Sequence, residues 1–457
     1  MDPTRWRHST NHLGIAAAVM AVAAIAVVVA VVLPDRSGAG AHVVPPVPVA
    51  VAAPGVVPVS DDAPMPTGSA MAAALAGALA DPNLGRLTGR VTDALTGKAL
   101  WTQQEDLPMQ PASTNKVLTA AAALLALDPG DRVTTRVTAG DRPGVVVLVG
   151  GGDPTLSTAE VGQDTWYREA ARITDLAEQV RRSGADVTEV QVDVSAFTGP
   201  TMAPGWDAED IEGGDIAPIE AVMVDGGRVQ PTTVESRRSP TPALDAGRAL
   251  AEALGVDSEQ VSITTSSVTG RELAAVRSAP LVVRLGEMMN ASDNVMAECI
   301  GREVAAAMGR PRSFAGAVDA VTNRLATAHI SLTGATLFDS SGLSNDDRLS
   351  ARNLDSVVQA AAGPDLPELR PLLDMLPVAG GSGTLSERFL NPRTGRGAAG
   401  WLRAKTGSLT RTNALAGVVT DRDNRVLTFA FISNDAGPTG RIAIDSLASV
   451  LRTCGCR

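Results

Sequence analysis

Residues 111–128, PASTNKVLTAAAALLALD, hold the signal on which the fold turns. An Ala/Leu-rich run with so little polarity reads as a buried helix, and Asp128-Pro129-Gly130 stops it. Ser113 and Lys116 stand at its start, three residues apart, a spacing that puts both on one helical face. A serine touching a lysine is a candidate nucleophile with its base, because a neutral amine can take the hydroxyl proton. Alone, the pair reads more readily as a capping serine beside a solvated lysine.

Lysine usage gives the pair weight. Of 39 basic residues, only Lys98, Lys116 and Lys405 are lysines. A guanidinium keeps its proton near neutral pH, whereas a buried amine can lose one, so a retained lysine points to chemistry. Lys405 lies in GWLRAKTGSLTRTNALAGVV (400–419), where Lys405-Thr406-Gly407 leads into an alternating run that reads as a hairpin. Gly407 there would let a ligand approach the strand backbone. A third stretch, LGEMMNASDNVMAECIG (285–301), sets Ser292-Asp293-Asn294 between two helical runs, and alone this is a turn.

Composition excludes several classes. The 457 residues are 44% hydrophobic, enough for two or three globular domains, and a formal charge of -11 offers no basic stripe for nucleic acid. His8, His12, His42 and His329 are the histidines, and only His329 lies within the body, so a Ser-His-Asp triad has one candidate base. With so few His and Cys, neither a metal nor a cofactor is expected. Cys454 and Cys456 look poorly placed to bridge each other, which leaves a bond from Cys299 to the tail, or free thiols.

Residues 13–33 form an uncharged run rich in Ala, Val and Ile, long enough to span a bilayer, and Arg5 and Arg7 before it favour a cytoplasmic N-terminus. The expectation is a cytoplasmic tail (1–12), a membrane anchor (13–33), and a linker rich in Pro, Ala and Val (34–69) holding an extracytoplasmic body. The competing reading is a cleaved signal peptide, with a site at Ala39-Gly40-Ala41.

Together and in this order, Ser113-x-x-Lys116, Ser292-Asp293-Asn294 and Lys405-Thr406-Gly407 match the signature of penicillin-binding proteins and class A β-lactamases. GGGDPTL (150–156), FDSSGLS (338–344), LPVAGGSGTL (376–385) and RAKTGSL extend the likeness. From about residue 85 to 450 the chain resembles the D-alanyl-D-alanine carboxypeptidase/endopeptidase family of penicillin-binding protein 4. The resemblance implies an α+β, β-lactamase-like fold, in which an antiparallel sheet flanked by helices stands beside a helical subdomain. Residues 70–138 and 276–457 would form this serine peptidase domain, and 139–275 an insert after the S-x-x-K helix. Strand-like runs at 86–92, 98–102, 401–405, 414–420 and 425–433 allow early and late strands to close one sheet, before a helix from Arg441.

The resemblance also implies a chemistry. Ser113 would attack the carbonyl between two D-alanines, Ser292 would relay a proton to the leaving D-alanine, and Asn294 would hold the substrate amide. Lys405, Thr406 and Ser408 would bind the terminal carboxylate beside Gly407, with an oxyanion hole at the N–H groups of Ser113 and Ser408. Lys405 would also help keep Lys116 neutral. Peptidoglycan peptides ending in D-Ala-D-Ala and β-lactams are the implied partners. Asn345 stands where the family often has an arginine facing a diaminopimelate side chain; Arg348 could compensate, and Asp193 resembles the family's acid for the same side chain. The closest rival is a β-lactamase, but class A enzymes carry a glutamate beyond S-D-N and none occurs from Val304 through Gly363. A catalytically idle wall-binding protein is the rival of another class.

Overall fold

The first described helix, α1 (Gly68–Leu79), is capped by Thr67, whose hydroxyl accepts from the N–H of Ala70, and it buries Met71 and Leu75. The computed structural model describes residues 59–391 and 395–456, all within one compact unit that begins at Pro58. The expected anchor at 13–33 and the linker as far as residue 58 lie outside the described residues; among those described, no helix is long and apolar enough to cross a membrane. The end of the expected linker is already docked. Arg425 donates to the carbonyls of Asp61 and Ala63 at 2.9 and 3.1 Å, and the N–H of Thr67 donates to the carbonyl of Cys456 at 2.7 Å.

Strands β1 (Arg86–Asp93) and β2 (Ala99–Gln103) form a hairpin. Strand β1 then pairs with β10 (Val426–Asn434) from the far end of the chain, in register from Arg86↔Asn434 to Asp93↔Leu427. With β8 (Leu402–Leu409) and β9 (Thr412–Thr420) the antiparallel order is β2-β1-β10-β9-β8, so early and late strands do close one sheet. Strand β8, which carries Lys405-Thr406-Gly407, is its edge.

Alternation along the strands divides their side chains between two faces. Leu87, Phe429 and Phe431 pack with α1 and the C-terminal helix α11 (Gly440–Thr453). The opposite face presents Ala414, Ala416, Ala430 and Ile432 to a helical layer. That layer contains α2 (Lys116–Ala126), α6 (Leu281–Ala291), α7 (Asn294–Ala307), α8 (Phe314–Thr327), α9 (Ala351–Ala362) and the short α10 (Pro371–Met375). Small side chains on the sheet and four successive alanines in α2 let helix and sheet approach closely. Asp355 of α9 fastens the layer, accepting from Thr92 and Thr428 of the sheet at 2.5 and 2.7 Å and from Arg90 at 3.0 Å.

A second sheet lies between α2 and α6. It opens with β3 (Thr134–Ala139) and closes with β7 (Glu272–Arg277), and these pair with each other. These strands begin and end a few residues beyond the limits expected for the insert, 139–275, because they meet where the chain leaves and re-enters the part built on the first sheet. Strands β4 (Val145–Val149), β5 (Glu189–Asp193) and β6 (Val261–Thr264) run parallel. Parallel pairs need long crossovers, supplied here through α3 (Ile173–Arg182) and α5 (Pro242–Leu254), with the short α4 (Glu209–Gly213) in the second connection. Helix α3 begins only at Ile173. Trp166 and Tyr167, just before it, pack against the helical layer that covers the first sheet.

One expectation is overturned. Cys454 and Cys456 are bonded to each other, and Cys299 is free and buried. The chain leaves α11 extended at Cys454, which sets the two Cα atoms 5.0 Å apart, within disulfide reach despite the short separation.

Candidate active site

A 3-10 turn, Ala112–Asn115, precedes α2, and it carries Ser113. Ala112 is held at φ 49°, a region that L-residues seldom adopt. Two glycines make room for this turn. A Cβ on Gly342 would come within 2.0 Å of the Ala112 carbonyl oxygen, and one on Gly407 within 2.6 Å of that of Pro111. Gly407 is thus required by the chain's own backbone, a different reason from the ligand approach expected above. The FDSSGLS loop and the edge strand clamp the turn and leave Ser113 half-buried.

Lys116, one residue beyond the turn, is fully buried. Its Nζ donates to Ser113 Oγ at 3.0 Å, to Asn294 Oδ1 at 2.5 Å and to the carbonyl of Ser341 at 2.8 Å. Burial lowers the amine to about 8, against the opposing pull of Asp339, Asp293, Glu298 and Asp215. Roughly a tenth of the molecules then carry a neutral Lys116 at pH 7.

Lys405 occupies the other side of the cluster, equally buried, donating to Ser292 Oγ at 2.8 Å and to the carbonyl of Thr406 at 2.9 Å. Burial, then the charges of Lys116 and Arg388, push it well below the ordinary lysine range. Lys116 therefore owes its lowered pKa to burial, and the like-charge repulsion expected to act on it falls on Lys405. Thr406 shares a 2.8 Å hydrogen bond with Thr384 of the LPVAGGSGTL loop, and Ser408 is exposed at the end of β8.

The turn between α6 and α7 presents both Ser292 and Asn294. Ser292 ends α6 in the left-handed conformation, φ 59°, and Asp293 caps α7 by accepting from the N–H of Met296 at 2.9 Å. Asn294 turns its carbonyl oxygen to Lys116 and donates its amide to the carbonyl of Asp215 at 3.0 Å. The structure thus unites Ser113, Lys116, Ser292, Asn294 and Lys405, drawn from three distant stretches.

Several supporting residues carried no assigned role in the sequence reading. Asp339 of FDSSGLS accepts from the N–H groups of Ser341, Gly342 and Ser344 and from the indole of Trp206 at 2.8 Å. Buried Glu298 accepts from the N–H of Ser340 at 2.9 Å and is pushed up to about 8, by burial first and then by Asp339. Tyr167 of the insert donates to Asp293 at 2.7 Å. Burial alone would raise Asp293, but the charges of Arg238 and Arg228, the Met296 N–H and the Tyr167 hydroxyl leave it below the usual carboxylate range.

Two expected substrate contacts stand apart from the cluster. Asp193, at the end of β5, is buried and spends its oxygens on the N–H groups of Ser195 and Val268, at 2.8 and 2.9 Å. It closes its own loop, and among the described residues no hydrogen bond joins it to the site. Arg348 is exposed and donates to the carbonyls of Asn345 and Asp347 at 2.8 and 2.7 Å, at the rim of the FDSSGLS loop. Among the described residues, no group of His, Cys, Asp and Glu is disposed to hold a metal ion.

A profile described as the D-Ala-D-Ala carboxypeptidase 3 (S13) family matches residues 71–238 and 232–451, and one described as the carboxypeptidase Rv3627c-like N-terminal domain matches residues 1–58. The chain is 64% identical to carboxypeptidase Rv3627c of Mycobacterium tuberculosis and 63% identical to carboxypeptidase DacB of Mycolicibacterium smegmatis, in each case over 100% of both chains. In fold it is similar to the crystal structure of penicillin binding protein 4 (dacB) from Haemophilus influenzae. The TM-score is 0.68 at 20% identity, over 84% of this chain and 98% of that one.

Proposed function

Because the chain belongs to the D-Ala-D-Ala carboxypeptidase 3 (S13) family and is a serine-type D-Ala-D-Ala carboxypeptidase, we propose that Ser113 is its nucleophile and Lys116 its base. The observation that carries this reading is the 3.0 Å contact from Lys116 Nζ to Ser113 Oγ, inside a site whose burial lowers the amine to about 8.

A peptide ending in D-Ala-D-Ala pairs with edge strand β8, its terminal carboxylate at Lys405 and Thr406. That carboxylate favours the ammonium form of Lys405, and a charge there disfavours a second on Lys116. Binding the correct end of the peptide therefore frees the base. Neutral Lys116 takes the proton of Ser113 as Oγ attacks the carbonyl between the two D-alanines, and the N–H groups of Ser113 and Ser408 face the oxyanion. Asn294 orients the substrate amide. As the C–N bond breaks, Ser292 passes its proton to the departing amine and recovers one from Lys405. Water then releases the peptide from the Ser113 ester. Arg348, exposed beside Asn345, supports a contact to the diaminopimelate side chain that precedes the two D-alanines; the Asp193 geometry offers no such support.

Residues 13–33 anchor this body outside the cytoplasmic membrane; the uncharged run and the preceding Arg5 and Arg7 support that placement. The enzyme reading is tested by D-alanine release from a synthetic D-Ala-D-Ala pentapeptide, with and without one equivalent of benzylpenicillin. Release that continues unchanged after acylation would overturn the serine acyl-enzyme.

A further inference from the structure

We propose that Arg411 and Arg441 form an anion subsite that binds carboxylates of the stem peptide upstream of the acylated D-alanine. The inference rests on the reading of the site given above. If the terminal carboxylate sits at Lys405 and Thr406 and the attacked carbonyl faces the N–H of Ser408, the peptide runs antiparallel to β8. Its upstream residues then lie beyond Ser408, over the turn that joins Leu409 to Thr412 of β9. At about 3.4 Å per residue, two or three upstream residues span the distance from Ser408 to Arg411.

An open recess of about 610 Å³ lies there, lined by Ser408, Leu409 and Asn413 and by the loop that leads into α11. Arg411 and Arg441 both line it, both are exposed, and no acidic residue is among its lining. Arg411 is held in the turn at φ 56°, with one guanidinium N–H on the carbonyl of Asp435 at 3.3 Å. Arg441, in the first turn of α11, makes no side-chain hydrogen bond among the described residues, and the nearby acid Asp445 is paired with Arg388. In a chain of net charge -11, this recess is lined by two guanidiniums that form no ion pair among the described residues. Peptidoglycan stem peptides supply matching groups, the free carboxylate of a γ-linked glutamyl residue and that of a diamino acid. Guanidinium takes either in a two-pronged hydrogen bond.

The test uses the full chain and three synthetic pentapeptides, one with both upstream carboxylates free and two with one or the other converted to a carboxamide. Two exposed charge-assisted contacts amount to a preference of roughly tenfold in kcat/KM for the doubly acidic peptide, carried mainly by KM. In Arg411→Gln/Arg441→Gln that preference should fall to within twofold, and in Arg411→Lys/Arg441→Lys most of it should remain. The amide peptide that loses the preference identifies which carboxylate is bound. Labelling by benzylpenicillin, which has no upstream peptide, reports whether each variant keeps an assembled site. A wild-type enzyme that is acylated and turns over all three peptides equally, or a double glutamine variant that keeps the preference, overturns the subsite. Failure of the wild type to be acylated or to release D-alanine would instead overturn the catalytic reading.

Discussion

The phenol of Tyr167 donates a 2.7 Å hydrogen bond to the buried carboxylate of Asp293, so a residue of the insert fixes the turn that presents Ser292 and Asn294. Burial, then the Asp293 charge, raises the phenol well above its ordinary pKa, which keeps it a donor across the working pH range. Arg228, stacked 3.8 Å from the Trp166 ring, adds positive charge on the same side. The insert is therefore part of the catalytic support. Tyr167→Phe keeps the ring and deletes the donor, leaving Asp293 with a shortfall typical of a hydrogen bond to a charged group, about 1.5–3 kcal/mol. The expected result is a loss of roughly tenfold or more in the acylation rate by benzylpenicillin, together with a lower midpoint in urea. Wild-type values for both would show that the bond holds nothing in place.

Acylation itself gives a second prediction. Benzylpenicillin should add its full mass to one residue, Ser113, the serine that opens the S-x-x-K turn and stands 3.0 Å from Lys116 Nζ, the proposed base. Ser113→Ala should show no adduct, while Ser292→Ala should still be labelled, more slowly. Peptide mapping by mass reads the position, and an adduct on any other serine would contradict the assignment.

Much of this arrangement was legible in the sequence because its cause is local. Alanine and leucine periodicity marked α2, alternation marked the closing strands, and the scarcity of lysine singled out the two that meet Ser113 and Ser292. The same scarcity argument applied to tyrosine would have singled out Tyr167, the one tyrosine in the chain. Its partner could not be foreseen, since the pairing depends on how the loop before α3 crosses to the peptidase domain. Gly407 also has a neighbour that spacing cannot reveal, the Pro111 backbone, which approaches it closely. Asp193 has a local role that spacing did not reveal either. An acid in a strand-end motif resembled a binding residue, and in the fold each of its carboxylate oxygens accepts from a backbone N–H of a neighbouring loop.

The lowered pKa of Lys116 sets a pH dependence with a definite sign. Only the deprotonated amine accepts the Ser113 proton, so the second-order acylation rate should climb about tenfold per unit while pH lies below the pKa, and level off above about 8. Removing an opposing carboxylate should move this limb downward, because Asp339, Asp293, Glu298 and Asp215 all favour the ammonium form. Stopped-flow measurement with a chromogenic β-lactam from pH 5.5 to 9.5 reads the limb. A rate independent of pH over that range would remove Lys116 as the base.

Topology is tested in intact cells. Protease added outside should digest the body beyond the linker and leave Arg5 and Arg7 protected, with the protected fragment still in the membrane fraction. If the segment is instead removed as a signal peptide, N-terminal sequencing of the mature chain will start near Ala41 and the body will appear in the medium. A protected C-terminal region would reverse the proposed orientation.

The two motif lysines differ in the work asked of them, and substitution by arginine separates the roles. Lys116 has to give up a proton, within a buried pocket where three acceptors surround its amine. A guanidinium cannot do so near neutral pH, and its larger planar head also has no room there. Lys116→Arg should therefore lose at least the ~100- to 10,000-fold typical of a missing general base. Lys405 has to present positive charge to a carboxylate, and arginine does this in bidentate fashion, so Lys405→Arg should retain measurable acylation with the larger deficit in apparent affinity. The cost there comes from losing the compact 2.8 Å bond to Ser292. Second-order acylation rates for both variants, measured beside the wild type at pH 8, decide the matter: equal rates for Lys116→Arg and Lys405→Arg would mean that the base has been placed on the wrong lysine.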